Sequence, residues 1–494
     1  MKERIIEIGR DSFWYFGANI TVATLGFISI PIFTRMLLPH DYGIYSLVSA
    51  AITVLAPLLY VWLTESAQRF YPEYKRNEEL GVLYSTIFHY APHFMISFLL
   101  ILLPITALVL PLGQYRLLIC LGIATFAFFT MSNVSLEVMR ARQFAWQYSI
   151  LTVVVAIGRY LVGAAMFIWF GFGVDGLFWG WLGVLVLVVP IELFVLRAHK
   201  HVKWKDHSPQ LSREFLSYGF VLIFAAGFGN VLTIGDRYIV QLFKGGTQVG
   251  LYSVVYNLIA NSAGVILSVL ILAGTPVLMK TYEGDGEEES KHLITQLTKY
   301  FLIFLVPSMV GLWVLRVRTI MVISGARYMA ATKAVLPLAL AMILWNLIWL
   351  PSTAFLLKKK TKIIIWPVMI AAVINIGLNL ILVPIWGFVG AAWSTFICYV
   401  IDFVLVVVMS RNIMKWEFPW KGAVRVFAAT AVMAAGLFAF EKLPVHGAGG
   451  LLLIICLGTI VFFGALLLFG GIERNERQFV VTQISRLMSR KRAS

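Results

Sequence analysis

The chain has 494 residues, 60% of them hydrophobic and 13% charged, with a net charge of +16. A soluble domain is about half apolar and a quarter charged, so no soluble core hides this much apolar surface and the bilayer has to act as solvent. The basic residues sit in short connections, not in a stripe interleaved with exposed aromatics, which excludes a nucleic-acid surface. In chain order the apolar runs predict fourteen spans, at about 13–34, 43–63, 83–110, 115–136, 147–171, 175–196, 215–242, 249–278, 298–322, 333–357, 363–384, 388–409, 422–440 and 449–470. Each is long enough for the ~20 residues a bilayer needs. The runs are unbroken, without an alternating ten-residue pattern, so they read as helices and not as a barrel.

Charge orders these spans. With the N-terminus placed in the cytoplasm, 30 of the 40 basic residues fall on the inner side, as the positive-inside rule requires. Both termini are therefore expected to be cytoplasmic. The polar start Met1–Ser12 leads into a full-length run with no small-residue cleavage site, so no cleavable signal peptide is expected. The longest connections, 197–214 and 279–297, are both inner. The second, with Glu283, Asp285, Glu287, Glu288 and Glu289, reads as a solvated, mobile linker. Cys120, Cys398 and Cys456 stand singly in apolar runs and read as packing residues. The tail 473–494 is basic and cytoplasmic, either a surface helix or a disordered segment.

Internal repetition gives the architecture. Gly43-Ile44-Tyr45-Ser46 returns as Gly250-Leu251-Tyr252-Ser253, 207 positions later. Gly173-Val174-Asp175-Gly176-Leu177 returns as Gly387-Phe388-Val389-Gly390-Ala391 at an offset of 214. The basic loops Arg140–Arg142 and Lys358–Lys360 correspond at about the same distance. The expected fold is all-α and polytopic, with about fourteen transmembrane helices. It has a six-helix lobe at 1–210, a second in parallel repeat at 211–415, two further helices at 416–472, and the tail. Parallel repeats of this kind are a transporter architecture, with the path between the halves.

The stretch Pro31–Pro39, then Asp41-Tyr42-Gly43-Ile44-Tyr45 and Arg69-Phe70-Tyr71-Pro72-Glu73-Tyr74, resembles the opening of the Wzx-type polysaccharide flippases. These belong to the multidrug/oligosaccharidyl-lipid/polysaccharide exporter superfamily. Asp236-Arg237-Tyr238-Ile239-Val240 is similar to that family's seventh helix, and Gly325-Ala326-Arg327-Tyr328, Pro384 and Gly387–Ala392 also fit. The resemblance covers nearly the whole chain. It implies a two-lobed bundle that flips undecaprenyl-diphosphate-linked oligosaccharide across a bacterial inner membrane by alternating access, for polysaccharide export, and not an enzyme. It implies lipid-linked oligosaccharide and membrane lipids as partners, with other polysaccharide-assembly proteins as further candidates. No cofactor is expected; protons, sodium or the membrane potential remain open as the driving force. Two alternatives stay in the same superfamily: a multidrug or cation antiporter, and a lipid II flippase. Lipid II flippases usually carry arginines in the first span, and none lies between Arg10 and Arg35.

Polar residues at bilayer depth are functional candidates by default. Arg159 lies near the middle of span 5, about 18 Å of helix from either end. It reads either as an anion-binding group in a water-filled cavity or as the partner of Asp402 in span 12. Asp236 and Arg237 in span 7 point about 100° apart, so they do not pair, and they divide between lumen and neighbouring helices. Asn257 and Asn261 share a face of span 8, extended by Tyr252 and Tyr256, and Asn375 and Asn379 repeat this on span 11. Both pairs suit either sugar binding or interhelical bonding. Asp236 and Asp402 are the deep carboxylates. Arg316 and Arg318 at the end of span 9 are expected to snorkel outward, and Trp179, Trp181 and Trp386 to form an interfacial belt. Prolines at 57, 104, 276, 307, 337, 351 and 367 are expected to kink spans. His199, His201 and His207 cluster in a basic inner loop, which reads as solvated and neither metal-binding nor catalytic. No nucleophile elbow, phosphate loop or metal signature is present.

Overall fold

A computed structural model describes residues 2–109 and 113–471, so the tail expected at 473–494 lies outside the described residues. Every regular element among them is helical. In chain order they are α1 (Lys2–Met36), α2 (Pro39–Arg76), α3 (Leu80–Pro104), α4 (Arg116–Ala141), α5 (Ala145–Ile157), α6 (Gly163–Phe170), α7 (Gly173–Val195), α8 (Ala198–His201) and α9 (Pro209–Lys244). There follow α10 (Gly246–Gly284), α11 (Glu287–Val314), α12 (Arg316–Ile323), α13 (Val335–Leu347), α14 (Trp349–Leu357), α15 (Ile365–Trp386), α16 (Phe388–Arg411), α17 (Trp420–Phe440) and α18 (Gly447–Leu468). One π-helical turn, Ile105–Val109, follows Pro104 in α3, and another, Gly158–Val162, joins α5 to α6. Among the described residues, thirteen helices are long and apolar enough to cross a membrane, and α9 taken as one bent span makes fourteen.

Local chemistry sets the helix starts. Proline opens α2 and α9, where the N–H it lacks would go unbonded in any case. Ser208 caps α9 by accepting from the Leu211 amide at 3.2 Å. α9 then bends by 43° near residue 221, although no proline lies there. Gly219 beside the bend lies against Trp62 of α2, whose Cα and Cβ any side chain would overlap.

Packing divides the described residues into two compact units, one within 1–265 and 362–402, the other within 266–361 and 403–471. These bounds do not follow the expected lobes, because α9 packs on α2 as well as on α15. In the first unit α4 packs along both α2 and α7. In the second, α11 packs against α13 and α17, and α17 pairs with α18. That core is built from Phe301, Val306, Ala429, Ile454 and Phe462.

Three expectations about connections change. The acidic stretch at 279–297 is not a linker: α10 runs to Gly284 and α11 starts at Glu287. Carboxylates are favourable in a first helical turn, and Glu287 also meets Lys291 and Lys358. Span 9 accordingly ends at Val314, earlier than expected. Arg318 does not snorkel. Its guanidinium donates to the carbonyls of Glu441, Leu443 and Val445 just past the end of α17.

The loop after α7 is docked, not free. Ser85 of α3 receives the Lys203 amide at 2.9 Å, Thr86 receives the Ser208 amide at 3.2 Å, and His207 stacks on His89 at 4.2 Å between ring centres. The His201 ring meets Tyr84 edge-on at 5.5 Å. Burial, then the neighbouring cations Arg142, Arg197 and Lys200, hold the His201 imidazole below its ordinary value of 6.5. The folded loop therefore disfavours the protonated ring. The stability this contributes is present above 6.5 and is lost as pH falls from there towards the lower folded value. The protection of amides 197–208 against hydrogen exchange, corrected for the intrinsic pH dependence of exchange, is expected to fall on acidification through that window in wild type and not in His201→Phe.

Candidate functional site

A cavity of about 240 Å³ lies inside the first unit, walled by α1, α2, the Gly158–Val162 turn, α9 and α10. Arg159, Arg237, Asn257 and Asn261 all line it. Tyr42, Tyr45, Ser46 and Ser49 line it from α2, at the i, i+3, i+4 and i+7 spacing of one helical face.

Arg159 reaches the cavity from a π-helical turn, a local widening common at functional sites. The helices behind it touch closely through glycine. A Cβ at Gly163 would come within 2.9 Å of the Leu177 carbonyl oxygen, and one at Gly180 would overlap the backbone of Gly163. This approach brings Trp181 under the Arg159 guanidinium, 4.3 Å from the ring centre. Trp181 is therefore buried, not part of an interfacial belt. No ion pair joins Arg159 to Asp402.

Arg237 is held by three groups. It donates to Ser46 Oγ at 3.2 Å and to Asn257 Oδ1 at 2.9 Å, and it lies 5.0 Å from the centre of the Tyr256 ring. Asn257 in turn donates to the Tyr42 hydroxyl at 3.3 Å. The Nε–H groups of Arg159 and Arg237 are buried without partners.

Asp236, Asn375, Asn379 and Asp402 are not among the residues that line this cavity. One step along α9 turns Asp236 away from Arg237 and into a closed cluster. It accepts from Tyr252 Oη at 2.6 Å, from Asn379 Nδ2 at 2.6 Å and from Thr395 Oγ1. Asn375 joins through its backbone carbonyl, which accepts from Asn379 Nδ2 at 2.9 Å. Asp402 is fully buried, with no partner for either oxygen. Nor are these two aspartates the only buried carboxylates, because Glu192 near the end of α7 is fully buried as well.

Two neighbours of Arg159 and two of Asp236 correspond at the hairpin offsets. Tyr45 corresponds to Tyr252 at the offset of 207, and Trp181 to Thr395 at 214. Tyr252 and Thr395 hold the Asp236 carboxylate, whereas Trp181 underlies Arg159 on the cavity that Tyr45 lines. The repeated glycines also meet. Side chains at Gly43 and Gly250 would overlap the carbonyl oxygens of Gly246 and Pro39, respectively. Pro39 and Gly246 are themselves 207 apart, so the contact is reciprocal, as a two-fold axis between copies makes it.

Sequence reasoning missed Tyr42, Tyr45 and Ser46 as wall residues, and Trp181 as the ring under Arg159. The signal was present in part, because Tyr45 and Ser46 belong to the repeated hairpin motif.

A family model described as polysaccharide biosynthesis protein matches residues 8–282, more than half of the chain. The chain belongs to the polysaccharide biosynthesis protein family. No curated protein matches this member of the family. Among solved structures, the lipid II flippase MurJ in an inward closed conformation aligns with a TM-score of 0.75 at 16% identity, covering 92% of this chain and 98% of that one. An inward-facing multidrug resistance MATE family transporter of the MOP superfamily aligns at 0.67 and 15% identity, over 79% and 94%. A MOP superfamily transporter from Pyrococcus furiosus, described as having a binding pocket of reverse polarity, aligns at 0.58 and 15%, over 82% and 95%. This member of the polysaccharide biosynthesis protein family thus has the polytopic helical fold of the MOP superfamily.

Proposed function

We propose that the protein flips an undecaprenyl-diphosphate-linked oligosaccharide from the inner to the outer leaflet of a bacterial inner membrane, by alternating access and with both termini cytoplasmic. The observation that carries this reading is the pair Arg159 and Arg237 on one polar cavity wall, with no carboxylate among the lining residues. Planar guanidinium donors suit phosphate oxygens, and a cation at bilayer depth is tolerated facing a ligand, water or protein. The tyrosine faces with Asn257 and Asn261 supply the apolar surface and the amide bonds that a sugar needs. A cationic drug would instead call for a carboxylate on that wall. Purified protein in liposomes is expected to translocate labelled lipid-linked glycan; failure with matched substrates sinks the proposal.

The Asp236 cluster supports ion coupling in the same reading. The amide oxygens of Asn375 and Asn379 are buried without donors beside the carboxylate. A cluster short of donors and rich in oxygen suits a monovalent cation, sodium or a proton. Sodium at ten times its Kd would stabilise the folded protein by about 1.4 kcal/mol. The expected result is a sodium-dependent rise in Tm for wild type that Asp236→Asn lacks. Equal rises in both would remove Asp236 from coupling.

A further inference from the structure

Glu192 takes no part in the cavity or in the Asp236 cluster. Its Oε1 accepts from Ser132 Oγ of α4 at 2.7 Å, and its Oε2 is buried without a partner. Leu185, Val188 and Val189 on the same helix are buried beside it. The Ser135 hydroxyl, one turn along α4 from Ser132, is also buried without a partner.

No cation neutralises this carboxyl group among the described residues. On α4, Arg140 lies 3.6 Å from Glu137, which accepts from Gln68. Arg142, just past α4, donates to the Leu196 carbonyl at 2.8 Å. Arg159 lies over Trp181, Arg69 of α2 over Tyr218, and His201 of α8 against Tyr84. α5 and α6 carry no acid, lysine or arginine.

A bare carboxylate in this seam would be an uncompensated charge in a low dielectric, whereas a neutral acid keeps its bond to the Ser132 hydroxyl, which can donate or accept, and leaves only Oε2 without a partner. A buried group left short of partners in one arrangement points to another arrangement that satisfies it. Asp402 repeats the pattern on α16. At the hairpin offset of 214 it corresponds to Val188, one turn from Glu192 and on the same helical face. Each half therefore carries a buried, under-partnered acid on its sixth span.

We propose that Glu192 is a proton-binding site. It holds a proton in the arrangement seen here and releases it when α4 and α7 part enough to admit water. On release the O–H bond breaks, the carboxylate keeps the electron pair, and water takes the proton. The site stands apart from Asp236 and from the chemistry of the cavity.

Infrared spectra of the full-length protein in liposomes, in H2O and D2O, test the first half without any substrate. At neutral pH the wild type shows a deuterium-sensitive carboxylic acid C=O band. Part of that band is absent from E192Q, and that part shifts in S132A, which removes the bond to Oε1. Identical bands in wild type and E192Q overturn the site, and an unshifted band in S132A does the same if E192Q fails to fold. The second half is read by glycan movement under an imposed pH gradient. The wild-type rate follows the gradient and the E192Q rate loses that dependence; an E192Q rate that follows it equally overturns release. A wild type that moves no glycan at all counts against the glycan reading and leaves the infrared result to decide proton binding.

Discussion

Arg159→Gln and Arg237→Gln each slow translocation of labelled lipid-linked glycan in liposomes by roughly 10- to 100-fold. A hydrogen bond to a charged group contributes ~1.5–3 kcal/mol, and each 1.4 kcal/mol is about a factor of ten. Both guanidinium groups retain a buried Nε–H without a partner, so both have donors to give to an anion. The lysine variants separate charge from shape. Arg237→Lys keeps the charge but cannot span Ser46 and Asn257 together, so it recovers little. Arg159→Lys keeps a cation over Trp181 and recovers more. Thermal unfolding of each variant separates lost transport from lost fold. Glutamine variants that stay folded and transport at the wild-type rate would remove the arginines from the substrate path.

Gly43→Val or Gly250→Val separates α2 from α10. The new side chain would meet a backbone carbonyl in each case, of Gly246 or of Pro39, and neither can rotate away as a side chain does. The expected cost is at or above the upper end of the ~1–3 kcal/mol typical of overpacking. If these helices part during transport, the variant favours the parted arrangement. A cysteine at Ser46, on the cavity wall, then reacts faster with a membrane-impermeant maleimide added on the side where α2 and α10 begin. The native Cys120, Cys398 and Cys456 are removed for this measurement. Valine variants with wild-type Tm and wild-type labelling would show that the glycine contact constrains nothing. Because the contact is reciprocal, the two variants are expected to behave alike.

Much of this protein is set by composition and period alone. An apolar run of about 20 residues has to satisfy its own backbone in lipid, so the spans follow from their lengths, and the charges between them follow from the cost of crossing. The divergence of Asp236 and Arg237 was equally legible, because it follows from 100° per residue on any helix. The direction each residue takes was not, since a helical wheel has no fixed zero until its neighbours are in place. Only packing turned Arg237 towards Ser46 and Asn257, and Asp236 towards Tyr252 and Thr395. Trp181 looked interfacial by its place near a span end, and close glycine packing between α6 and α7 buried it under Arg159. Glu192 near the end of its span and Asp402 in a deep one are buried alike, because burial is a property of what lies across the seam and not of position along the chain.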